Sequence, residues 1–190
     1  MYELYVLGEL MDQAMHGYLL HTILNRIVGP MRKISWGVLY PLIRRLESEG
    51  FIEQVPDEEP SRGGGKKKKT YGITADGKRQ FFRLMEEPIE YTADYELNFQ
   101  IKMANFDHID DEIKLIILYQ YKDYLRYVRR HIEDNKTHIL DSKGIPKSER
   151  PNLLNIIDQR LVHIAVDEMW VEKQMKQVKQ TMGVTNDDNK

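Results

Sequence analysis

The sequence predicts a mainly helical protein with one small β-hairpin, and three observations carry that reading. Apolar residues recur at helical spacing through most of the 190 residues. The one stretch that alternates apolar and polar residues lies between Gly50 and Thr74, on either side of the turn-rich PDEEPSRGGG. Beyond residue 110, two long apolar stripes flank the loop-like DSKGIPKSERP. The expected division is a first domain over residues 1–90 and a helical second domain over 91–190.

The elements follow in order. Residues 3 to 12 form a first helix, and residues 17 to 28 a second through Leu20, Ile23, Leu24 and Ile27, closed by Gly29 and Pro30. A third helix starts from Ser35 as N-cap and ends at Gly50. FIEQV and KKKKTYGIT read as the two strands of a hairpin with a long tip. Thr74 caps a helix running to about Glu87, where Pro88 stops it. Further helices are expected over residues 94 to 105, 110 to 140 and 152 to 182, with GVTNDDNK frayed at the end.

Composition narrows the function. With 41% apolar and 31% charged residues the chain has enough material for real cores. No apolar run approaches the roughly 20 residues that span a bilayer, and Glu3, Glu9 and Asp12 stand where a secretory leader would be basic and then apolar, so a cytoplasmic protein is expected. The absence of cysteine excludes disulfides, thiol catalysis and thiolate metal sites. The six histidines, at 16, 21, 108, 131, 138 and 163, contain no pair at i and i+4, and no metal or cofactor is expected. GGGKKKK lacks the strand–loop–helix setting of a phosphate-binding loop, so nothing points to an enzyme. The formal net charge is only −2, yet residues 26 to 83 hold thirteen Lys or Arg against seven Asp or Glu. A polyanion partner is expected there.

The third helix is the best candidate for meeting it. Val38, Leu39, Leu42 and Leu46 are expected to face the core, which leaves Trp36, Gly37, Tyr40 and Arg44 on the opposite side. An aromatic, a bare backbone, a phenol and a guanidinium suit close approach to phosphates and base edges of double-stranded DNA. Pro41 is expected to bend the helix, and Gly37 gives room for the carbonyl its ring crowds. Ser35 serves either as a plain N-cap or as a phosphate donor at the helix N-terminus. Trp36 packs either on a sugar or on its own domain, and Arg45 frames the site from its edge. Arg32 and Lys33 are candidates for backbone contact, and Lys66, Lys67, Lys68 and Lys69 for sequence-independent phosphate attraction from the hairpin tip. Three helices followed by a hairpin with a basic tip is the arrangement in which a third helix enters the major groove.

The blocks LGEL, HGYLL, ISWGVLYPLIRRLESEGFIE and KKTYGITADGK together resemble the PadR family of winged helix-turn-helix transcriptional regulators. That resemblance implies a DNA-binding homodimer with a C-terminal helical dimerisation domain, usually a repressor released by a small molecule. Trp36 departs from the small or polar residue expected at that position, which leaves the target sequence open.

The second half carries a helix seam. Leu154, Ile157, Leu161, Ile164, Val171 and Met175, continued by Val178 and Met182, step by three and four, with Glu168 in the one polar register. The helix from 110 to 140 has a comparable line through Ile113, Ile117, Tyr121, Tyr124, Val128 and Ile132. Such stripes pair inside one chain or across a two-fold axis, and both are expected here, with the seam as dimer interface. Glu168 is expected either to fix helix register through a basic partner or to lie in solvent. Met169, Trp170, Tyr121 and Tyr124 are candidates for binding a small aromatic or apolar effector, against the plainer reading that they are core. The competing function is a coiled-coil interaction protein without DNA binding, which accounts for the seam but leaves the third helix and the basic hairpin without a role.

Overall fold

The structure is a computed structural model that describes residues 2–30, 32–56 and 69–187. It divides into two compact units, Met1–Asp110 and Asp111–Lys190. The first unit extends past the boundary at 90 that the sequence suggested, because Tyr95, Phe99 and Ile101 are buried and tie their helix to the first one.

In the first unit, α1 (Tyr2–Asp12), α2 (Gly17–Ile27) and α3 (Trp36–Ser48) precede the hairpin of β2 (Ile52–Val55) and β3 (Thr70–Ile73). A two-residue strand, β1 (Met15–His16), was not anticipated. It pairs antiparallel with β3, Met15 opposite Tyr71, to give a three-stranded sheet in the order β1-β3-β2. Two residues are too few to display an alternation, so periodicity could not reveal it. Helices α4 (Ala75–Glu86) and α5 (Tyr95–Met103) and a 3-10 turn at Phe106–His108 complete the unit. Leu7, Leu20, Leu24, Leu39, Ile43, Leu46, Ile52 and Phe81 are fully buried and join α1, α2, α3, the sheet and α4 in one core.

Two glycines fix the corner between α3, the hairpin and α4. Gly50 has φ +76°, and its N–H reaches the Glu47 carbonyl while that of Phe51 reaches Leu46, which ends α3 in a left-handed turn. Gly77 lies in the first turn of α4, whose N-terminus is capped by the Thr74 hydroxyl at 3.0 Å from the Gly77 N–H. A Cβ on Gly77 would stand 2.0 Å from the Phe51 carbonyl oxygen. Gly77→Ala therefore loses about 3 kcal/mol or more of unfolding free energy in a urea titration, because the obstacle is backbone.

Lys102 of α5 is buried and donates to the Met85 carbonyl at 2.8 Å and to the Glu87 carbonyl, closing the C-terminal end of α4. Burial lowers its pKa to about 8, the nearby Glu87 opposing the shift. The unfolded chain therefore holds this proton more tightly than the folded one. This group's contribution to stability increases as pH rises from about 8 towards the ordinary lysine value. The urea midpoint of the wild type, taken relative to Lys102→Met, should rise between about pH 8 and 10.

The second unit consists of α6 (Asp111–Asp141) and α7 (Arg150–Asp187), packed along each other. Arg150 closes the connection by donating to the carbonyls of Leu140 (3.0 Å) and Ser142 (2.7 Å). Lys122 meets Glu172, Arg129 meets Glu168 and Lys136 meets Asp158, so α7 runs antiparallel to α6. Ile117, Leu118, Tyr121, Leu125 and Ile132 of α6 and Ile157, Ile164, Val171 and Met175 of α7 are buried within the single chain.

Candidate nucleic-acid interface

Helix α3 turns its Leu39, Ile43 and Leu46 face inward, with Leu42 half-buried beside them. Val38 was expected in that sector but is 45% exposed. At about 100° per residue Leu39 falls between Ile43 and Leu46 and the three complete the stripe, while Val38 falls a full residue step from Leu39. The helix runs uninterrupted from Trp36 to Ser48 through Pro41, which is exposed. The outward face then carries Ser35, Gly37, Tyr40, Pro41 and Arg44, of which the sequence suggested Gly37, Tyr40 and Arg44 for that side, while Trp36 is half-buried.

The backbone entering α3 is held from α2. The Ile34 N–H donates to Asn25 Oδ1 at 2.8 Å, and the Ile34 carbonyl accepts from Asn25 Nδ2 at 3.1 Å. His21 Nε2 lies 2.7 Å from the same carbonyl and therefore carries a proton. Ser35 takes the N-cap position without a side-chain cap bond, so the Ser35 hydroxyl stays available at a helix N-terminus, where the macrodipole favours an anion. Trp36 packs on its own domain: its ring lies 4.0 Å from that of His21 at 12°, and Tyr18 and Tyr40 adjoin it at 6.3 and 5.2 Å. Sequence reasoning missed Tyr18, His21 and Asn25. Their spacing on α2, at i, i+3 and i+7, marks one helix face, but only the approach of α3 shows what that face meets.

The three arginines differ sharply. Arg32 is paired with Asp94 at 2.6 Å and Arg45 with Glu3 at 2.5 Å, whereas Arg44 is exposed with no carboxylate partner among the described residues. Arg44 and Tyr40 lie close to β3: burial first, then Glu47 and Tyr40, raise the pKa of the Tyr71 phenol, and Arg44 opposes them. Lys33 and Lys69 are exposed, the latter directly before β3. Lys66, Lys67 and Lys68 lie outside the described residues.

In the second unit the sequence-predicted residues separate. Ile157, Ile164, Val171 and Met175 pack in the pair of helices of one chain, with Leu154 and Leu161 half-buried, so a dimer contact cannot draw on the buried four without unpacking α6 from α7. Glu168 is neither loose nor in need of a second chain: both its oxygens accept from Arg129 of α6, Oε1 from Nε at 2.9 Å and Oε2 from Nη2 at 2.6 Å. Side-chain exposures of 28% and 25% put this forked pair between surface and core. Glu168→Leu leaves Arg129 only the longer contact to Glu133 at 3.8 Å. It should lower stability by about 1 kcal/mol, a term that a double-mutant cycle with Arg129→Leu isolates. Of the effector candidates, Tyr121, Tyr124 and Trp170 form one cluster, with ring centroids 6.2 Å apart for the tyrosines and 6.4 Å for Tyr121 and Trp170. Met169 is 65% exposed on another face of α7. A cavity of about 430 Å³ on this unit is lined by Lys122, Glu172, Met175, Lys176, Lys179 and Gln180, and by none of the four candidates.

A third helix locked onto the second, a free guanidinium and phenol on its outer face and a sheet-forming hairpin behind it define a winged helix-turn-helix domain of the DNA-binding kind. Residues 6–83 match the model of the transcriptional regulator PadR-like family. Among solved structures, the chain is similar to Bacillus subtilis PadR in complex with operator DNA (17% identity, 93% of this chain and 98% of that one, TM-score 0.42). It is similar also to a PadR-like transcriptional regulator from Bacillus cereus (21%, 94% and 98%, TM-score 0.37). A third similar structure is Bacillus subtilis PadR in complex with p-coumaric acid (16%, 93% and 98%, TM-score 0.38). No curated protein matches the chain. No described helix is long and apolar enough to cross a membrane.

Proposed function

We propose that the chain is a cytoplasmic, homodimeric transcriptional regulator that recognises a specific double-stranded operator, acting as a repressor released by a small aromatic or apolar molecule. The observation that supports this most is the outer face of α3. Ser35, Tyr40 and Arg44 stand there with polar groups that have no side-chain partner among the described residues, on a helix whose entry is fixed by Asn25 and His21. A reader of two half-sites works as a dimer. For that contact α7 offers a second apolar stripe, Val162, Val166 and Met169, exposed and spaced i, i+4, i+7 on the side opposite Ile164 and Val171. Glu168 then serves the fold of each protomer through Arg129. Release by an effector follows the family pattern, with the Tyr121, Tyr124 and Trp170 cluster as the site to test first.

An electrophoretic shift on the duplex upstream of the protein's own gene tests the reading. A shift is expected at low salt, and none would leave only a helical interaction protein. Replacing Lys66, Lys67, Lys68 and Lys69 by Ala should weaken binding to all duplexes alike. It should also flatten the plot of log affinity against log salt by roughly 0.9 for each phosphate that is no longer neutralised.

A further inference from the structure

Tyr18 belongs to α2, yet its ring stands beside Trp36 at the start of α3, 6.3 Å away at 24°, and Trp36 in turn adjoins Tyr40 at 5.2 Å. Tyr18 is 64% exposed and Tyr40 51%, so a continuous aromatic surface built from two helices lies open. Large exposed aromatic rings gathered in one place mark a contact surface. Their hydroxyls have no partner among the described residues, and His21 and Asn25 hold the Trp36 end of α3 in place from behind. The surroundings choose the occupant. Exposed Lys33 and Arg44, the free Ser35 hydroxyl and the N-terminus of α3 favour a polyanion over an apolar protein surface. A surface of ring faces, set apart from its two hydroxyls, offers no donors or acceptors to the edge of a guanine. It fits the one apolar group that base pairs display in the major groove, the thymine 5-methyl.

We infer that Tyr18, Trp36 and Tyr40 form a specificity surface that recognises thymine methyl groups in each operator half-site, with Tyr18 of α2 as a base-contacting residue beside the third helix. This rests on the DNA-binding reading above. Arg44 then reads a base edge or phosphate on the same face, so a half-site combines one polar and one methyl-dependent position.

The test uses the full chain and a duplex enriched from a random library by repeated binding. Each thymine of that duplex is replaced singly by deoxyuridine, which removes the methyl and leaves the hydrogen-bonding edge intact. At least one thymine per half-site should lose about fourfold in affinity, the worth of one methyl taken out of water. That loss should vanish in Tyr18→Ala and persist in Tyr18→Phe, with the far-ultraviolet circular dichroism and the urea midpoint unchanged as a check on folding. Tight binding of the enriched duplex with no deoxyuridine effect, or an effect equal in Tyr18→Ala and wild type, overturns the inference while the DNA-binding reading stands. A library that enriches no duplex removes both.

Discussion

Arg44→Ala weakens binding to the operator by about 1–3 kcal/mol and binding to a scrambled duplex by much less. The expectation comes from the contrast among three arginines of one domain. Arg32 and Arg45 each have a carboxylate within 2.6 Å, Asp94 and Glu3. A guanidinium already engaged must give up that pair to reach DNA, whereas Arg44, exposed on the outer face of α3, gives up only water. Its planar fork matches the two acceptors of a guanine or of a phosphate. Fluorescence anisotropy on the two duplexes separates these targets, since equal losses on both would assign Arg44 to the phosphate backbone. Arg45→Ala should leave the affinity ratio between the duplexes unchanged and cost at most about 1 kcal/mol of stability through its pair with Glu3.

On the proposed dimer, Val166→Asp should give monomers in sedimentation and lower operator affinity by on the order of a hundredfold, because the second half-site is no longer delivered by the first. Val166 is 53% exposed in the outer stripe of α7 with Val162 and Met169, so a carboxylate there harms nothing in the isolated chain. In a closed interface the same carboxylate would be desolvated without a partner. Ile164→Ala gives the opposite signature. Ile164 is buried between α6 and α7, and truncation should cost about 2–5 kcal/mol of unfolding free energy. An unchanged oligomeric state in Val166→Asp would put the dimer contact elsewhere.

Most of the helical architecture was legible because amphipathic stripes and caps act locally. Ser35, Thr74, Gly50 and Pro88 each mark an element end for reasons confined to a few residues. Helix α7 starts at Arg150, before the expected residue 152, since Pro151 is tolerated in a first turn where N–H groups lack intrahelical partners. It also continues past Gly183 to Asp187, a glycine being only a weak stop. The partner of a stripe is a different matter. A seam such as Ile157, Ile164, Val171 and Met175 states that some helix lies against it, and a helix of the same chain serves as well as one of a second copy. One available clue was Lys122, Arg129 and Lys136, a cation every seven residues on α6, each now facing an acid of α7. The site was half legible: α3 announced its own outer face, but Tyr18 and His21 join it through the approach of α2, which no single-helix periodicity contains.

We propose that this chain reads base sequence through α3. The most direct test is the ratio of affinities, at physiological salt, for the enriched duplex and for the same base pairs scrambled. A specific regulator should favour the enriched duplex by about 10³-fold or more, with two half-sites related by a two-fold axis, and Arg44→Ala should reduce that ratio. A ratio near one, or a preference that Arg44→Ala and Tyr40→Ala both leave intact, would contradict the assignment of α3 as the reading helix.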